Sequence, residues 1–144
     1  ALAQASVETG YFGYGGTVRP KQNNCCGLGT TGKKVKGAKF KSPEIGVRAH
    51  IQHLLAYSVM KKPSTNIVDP RYDLAHAIRK ERGFIDKWSG LQGTWAMGSQ
   101  YCEKIMVIYQ AMLGMEMSEA EKKELLAKQK LAQEQPSNGQ DDLR

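Results

Sequence analysis

Eight of the chain's fifteen glycines lie between Gly10 and Gly37. Glycine in a helix interior costs roughly 0.5–1 kcal/mol relative to alanine, so regular helix is expected to fail there. Residues 10–39 therefore read as turns and close backbone approaches. Inside them, KKVKGAKF (33–40) predicts a short hairpin around Gly37. The core must come from the flanks.

The flanks are helical in pattern. Residues 1–8 (ALAQASVE) carry no charge before Glu8 and read as the tail of a buried helix. Residues 43–60 follow Ser42 as a cap, Pro43 in the first turn and Glu44 at the positive end of the helix dipole. Their predicted inward stripe is Val47, Ile51, Leu54, Leu55 and Ser58. A further helix is expected over 70–82, ended by Gly83, and another over 100–113 with Ile105, Ile108 and Met112 in the core. SEAE at 118–121 is a capping-box signature opening a peripheral helix, and QPSNGQDDLR reads as a disordered tail or linker. A chain of 144 residues suits one modest core. The starting segment reads as the middle of a helix, so part of the domain and any export signal are expected upstream.

The net charge of +7 favours polyanionic surroundings: nucleic acid, anionic lipid or a wall rich in phosphate and carboxylate. Within the basic stretch 33–48, Phe40 is the one aromatic, a poor pattern for stacking bases, so nucleic acid is not expected as a partner. No apolar run approaches the roughly 18 residues that span a membrane. Cys25 and Cys26 are adjacent and form no CxxC pair with Cys102, while His50 and His53 lack a third ligand nearby, so no metal is expected.

Glu8 is the one acid in the first 40 residues. It ends an apolar segment and is followed by GYFGYGG. Two readings are open: a surface acid at a helix end, or a catalytic acid facing a cleft. A carboxyl among apolar and aromatic neighbours has its charged form disfavoured and suits proton donation to a leaving oxygen.

Four motifs now fall in order: ETGYF (8–12), NNCCGLGTTG (23–32), FKSPEIGVRAHIQHLLAY (40–57) and LQGTWAMGSQYCEKI (91–105). Together they resemble the glucosaminidase domain of glycoside hydrolase family 73, a bacterial peptidoglycan hydrolase group with a lysozyme-like fold. The resemblance covers residues 1–113. It implies an α+β, mainly helical, lysozyme-like domain with a small β-hairpin lobe near 23–42, extending to about residue 115. It implies an endo-β-N-acetylglucosaminidase acting on glycan strands of peptidoglycan, outside the cell or at the wall, without a cofactor. Further wall-binding domains and a phage lysin fit the same resemblance. An endoglycosidase on the chitobiose core of glycoproteins and an inert wall-binding module are the alternatives, and retention of Glu8 favours the enzymes.

By the same resemblance, Glu8 is the general acid, Tyr101 lies near the catalytic centre, and Asn24 orders the loop beside the acid and is grouped with substrate binding. Trp95 is either core or groove wall. Tyr11, Phe12 and Tyr14 offer sugar-stacking faces, or fill the core. The second carboxylate is open: Glu44 fits best in position, although the helix dipole already explains it; Asp69 is the weaker candidate; and the substrate's acetamido group needs neither. Cys102 is expected near Cys25 or Cys26, with a disulfide more often absent than present.

Overall fold

The computed structural model describes residues 1–30 and 35–114, with isolated positions at 118, 120, 121, 123 and 127. Among the described residues four helices carry the fold: α1 (Leu2–Thr9), α2 (Pro43–Ser58), α3 (Tyr72–Arg82) and α4 (Tyr101–Met112). Short 3₁₀ turns stand at Pro20–Gln22 and Trp88–Leu91. Helix α2 packs on α3, and α1 packs on α4. The large core side chains are Leu28, Phe40, Tyr57, Tyr72, Leu91, Trp95, Tyr101 and Ile105, with small alanines between them.

The helix ends follow from local chemistry. Ser42 Oγ accepts the Ile45 amide and caps α2. Gly83 ends α3, its amide donating to Arg79 O at 2.8 Å. Gly10, at φ 58°, ends α1 in the left-handed region that glycine adopts without strain. Ser118 and Glu121 exchange the reciprocal bonds of a capping box. The remainder of the peripheral helix and tail expected over 116–144 lies outside the described residues. No described helix is long and apolar enough to cross a membrane.

The expected β-hairpin lobe is not seen: the described residues contain no strand. Residues 35–40 instead run beside 22–28. Two main-chain bonds join them, Ala38 N to Leu28 O at 2.7 Å and Phe40 N to Gln22 O at 2.8 Å. A ladder needs both partners to exchange main-chain bonds in register. Here side-chain amides take the carbonyls: Gln22 donates to Lys36 O and Ala38 O, Asn24 to Ala38 O, and Asn23 to Phe40 O. Gly37, at φ 71°, makes no hairpin tip; a Cβ there would stand 2.9 Å from Leu28 O.

Of the expected stripe on α2, Leu54 and Leu55 pack on the core, but Val47, Ile51 and Ser58 do not. Val47 and Ile51 are 47% and 44% exposed, while Gly46, Ala49, His50, Gln52, His53, Ala56 and Tyr57 face inward. Gly46 is required there, since a Cβ would lie 1.7 Å from Asn23 O. On α4, Ile105 is buried and Ile108 packs on the core, whereas Met112 is 46% exposed.

Candidate active site

Glu8 stands in the last turn of α1 and lines an open cleft of about 190 Å³ with Thr9, Tyr14, Thr17, Gly27 and Thr30. The chain leaves it through a tight left-handed path. Tyr11, Phe12 and Tyr14 all have positive φ, at 56°, 61° and 52°. Non-glycine residues in that region each cost on the order of 1 kcal/mol. The path is held by Tyr11 N to Ser6 O and Tyr14 N to Thr9 O, both 2.8 Å, and by Phe12 N to Thr9 Oγ1 at 2.8 Å.

Two side chains from distant elements converge on the acid. Trp95 Nε1 donates to Glu8 Oε1 at 3.0 Å, and the Tyr101 hydroxyl donates to the same oxygen at 2.5 Å. Trp95 is presented by the turn after the second 3₁₀ segment, where its amide bonds Leu91 O at 2.8 Å and Gly93 N bonds Ala96 O at 2.8 Å. Tyr101 opens α4. Both rings are buried. Trp95 is thus a core residue with one polar edge turned to the acid.

Behind Tyr101 lies a network that reading the sequence did not single out. Gln4 Nε2 donates to the Tyr101 hydroxyl oxygen at 2.8 Å. The Gln4 carbonyl must then be the acceptor in its 2.7 Å contact with His50, so His50 carries a proton on Nε2. His50 Nδ1 faces Cys25 Sγ at 3.7 Å. Gln4 and His50 are 0% and 1% exposed. The available signal was Gln4 itself, a polar residue in an apolar helix one turn before Glu8 and on its face. The Cys25 thiol is lowered to about 5, first by the hydrogen bond from Cys26 and then by His50, with burial opposing. Burial pushes the Cys26 thiol well up. Burial, and then the charge on Cys25, push the Tyr14 phenol up.

The other expected site residues divide. Asn24 is fully buried, and its amide is spent on the loop: Oδ1 accepts from Leu28 N at 3.0 Å, and Nδ2 donates to Leu28 O and Ala38 O. It orders the loop beside the acid and has no surface to offer a sugar. Tyr14 shares the cleft with Glu8, whereas Tyr11, 74% exposed, borders a separate surface hollow with Val107 and Ile108. Phe12 is 47% exposed and does not line the cleft. Glu44 is exposed and outside the cleft; the Ser42 hydroxyl holds its carboxyl below the usual range, with a backbone amide assisting. Asp69 is buried in a structural role, accepting from His53 Nδ1 at 2.7 Å and Arg71 N at 2.8 Å. Cys25, Cys26 and Cys102 are free thiols. No group of three potential metal ligands occurs among the described residues.

The sequence profile of the glucosaminidase family, described as mannosyl-glycoprotein endo-β-N-acetylglucosaminidase, matches residues 1–113. An uncharacterised protein of Borreliella burgdorferi is 35% identical over 113 residues, which are 78% of this chain and 53% of that protein. The chain thus spans about half the length of the curated relative it matches. No solved structure matches. With the four motifs inside the matched region, the chain belongs to the glucosaminidase family, glycoside hydrolase family 73.

Proposed function

We propose that this chain is an endo-β-N-acetylglucosaminidase that cuts peptidoglycan glycan strands at the cell wall or outside the cell, with Glu8 as general acid. The observation that carries the reading is the carboxylate itself, lining an open cleft while Trp95 and Tyr101 grip one of its oxygens. The two donors fix the carboxyl in the cleft, and as general acid Glu8 delivers the proton. It passes to the glycosidic oxygen as the C1–O bond breaks. The net charge of +7 suits the anionic wall better than a neutral glycoprotein core.

No other Asp or Glu lines the cleft among the described residues, and Glu44 is engaged at the start of α2. We therefore assign the attack on C1 to the carbonyl oxygen of the substrate's 2-acetamido group. That forms a bicyclic oxazolinium while the protonated leaving sugar departs. Glu8, now ionised, takes a proton from water as it adds to C1, reopening the ring with retained configuration.

The test is Glu8→Gln on purified peptidoglycan. The amide keeps the shape but delivers no proton, so release of fragments should drop by roughly 10²–10⁴-fold with the fold intact. Mass analysis of native-enzyme fragments should place N-acetylglucosamine at the new reducing end. Native-rate release by the variant, or a muramic acid reducing end, would overturn the assignment.

A further inference from the structure

Arg79 is a buried cation with no counter-charge among the described residues. It is 9% exposed, and neither the Lys62–Asp73 ion pair nor the His53–Asp69 hydrogen bond includes it. Its guanidinium lies over the Tyr57 ring, 5.6 Å from the centroid. That contact eases burial of the charge and occupies none of the N–H donors, which stay free to meet an incoming oxyanion. Buried charges in proteins are ordinarily paired, and arginine stays charged at any physiological pH.

Arg79 also lines a recess of about 80 Å³ between α2, α3 and the Gly93–Thr94 turn. Arg71 and Arg82 line it too, and among the described residues no acid does. His53 contributes to the same wall, and its Nε2 is buried with no partner among the described residues. Its Nδ1 is bonded to Asp69, so in the neutral ring Nε2 holds a lone pair and needs a donor. The recess shares no lining residue with the cleft of Glu8. Trp95 separates them, its ring 4.9 Å from His53 and its Nε1 on the acid.

We propose that this recess binds one phosphate group, as inorganic phosphate or a phosphate monoester. Three guanidiniums supply donors to several oxygens at once, which suits a tetrahedral oxyanion. Inorganic phosphate at pH 7 also keeps a hydroxyl, the donor that a lone pair on His53 Nε2 accepts, whereas a monoester, with its second pKa at about 6, is held by the guanidiniums alone. A carboxylate at neutral pH has no hydroxyl either. The site lies outside the glycosidase reading and stands whether or not that reading holds.

The experiment is isothermal titration of the full chain at pH 7 and constant ionic strength with inorganic phosphate, glycerol 3-phosphate and acetate. Phosphate should bind saturably at one site, and acetate at least tenfold more weakly. Arg79→Gln should weaken phosphate binding by tenfold or more. Arg82→Gln, at an exposed position that leaves the core untouched, should weaken it several-fold and keeps the test open if the first variant misfolds. Glycerol 3-phosphate binding as tightly as phosphate would assign the site to esters; binding of inorganic phosphate alone would assign it to the free ion. Absence of saturable phosphate heat, acetate binding equal to phosphate, or unchanged affinity in Arg82→Gln and in a folded Arg79→Gln would overturn the proposal.

Discussion

Removing one oxygen, in Tyr101→Phe, separates a catalytic hydroxyl from a structural one. The hydroxyl donates to Glu8 Oε1 and accepts from Gln4 Nε2. A hydrogen bond to a charged group contributes about 1.5–3 kcal/mol. At about 1.4 kcal/mol per tenfold, its loss at the acid predicts a kcat about 10- to 150-fold lower. The ring still fills its buried site, so KM should change little. Stability should fall separately by about 1–3 kcal/mol, since Gln4 is 0% exposed and its amide loses an acceptor. The assay is fragment release from purified peptidoglycan over a range of substrate concentrations, with thermal unfolding in parallel. Gln4→Met supplies the cross-check. Gln4 reaches Glu8 through Tyr101, so in the Tyr101→Phe background it should add nothing further to the kcat loss. A kcat within twofold of native, or additive losses in the double variant, would refute the argument that this hydroxyl and its amide position the acid.

Glu44→Gln should keep turnover within twofold and leave the product anomer retained, with a small drop in melting temperature from losing the Ser42 contact and the favourable charge at the helix start; a hundredfold kcat loss would reinstate Glu44 as a base. Cys25 should yield thiolate absorbance with a midpoint near pH 5, abolished in Cys25→Ser, since the Cys26 and His50 contacts lower it to about 5. Its folded pKa is depressed, so its stabilising effect is full above the unfolded value of about 8.5 and is lost as pH falls toward 5; three thiols all titrating above pH 8 would contradict this. Gly46→Ala should destabilise by about 1–3 kcal/mol in thermal or urea unfolding, because its Cβ would meet backbone Asn23 O at 1.7 Å.

Where the sequence was readable, punctuation and periodicity agreed. Ser42 and Pro43 mark the start of α2, Gly83 the end of α3, and Gly10 the end of α1 beside the lone acid. The lobe over 23–42 was misread for a definite reason. Gly37 between alternating residues is a local hairpin signal, but the pairing is decided by amides of Gln22, Asn23 and Asn24 reaching carbonyls 14 to 17 residues away. Such side-chain-to-backbone bonds leave no periodic trace. The network behind Tyr101 was hidden likewise: Gln4 and Tyr101 are 97 residues apart, and Gln4 and His50 are 46 apart.

The inward face of α2 joins these misreadings. Counting apolar side chains selects Val47 and Ile51, yet both are exposed and polar residues face inward. The interior that this helix meets is itself polar in patches. His50 finds Gln4, His53 finds Asp69, and the Gln52 carbonyl accepts from Val68 N at 2.7 Å while its amide donates to Asn66 O at 2.8 Å. Each pairing offsets the cost of burying its partner, and leaving one buried group unmatched costs about 1–3 kcal/mol. Exposing Val47 and Ile51 carries a comparable penalty, which the His50 and Gln52 pairings and the Nδ1 bond of His53 together offset, while Leu54 and Leu55 stay on the core. Gly46 adds a steric vote, since no other residue admits Asn23 O so close. The face of α2 is therefore set by the loop and the acid it supports: replacing His50 alone strands the Gln4 carbonyl, and replacing Gln4 alone strands His50. The apolar pattern loses authority where the helix turns toward chemistry.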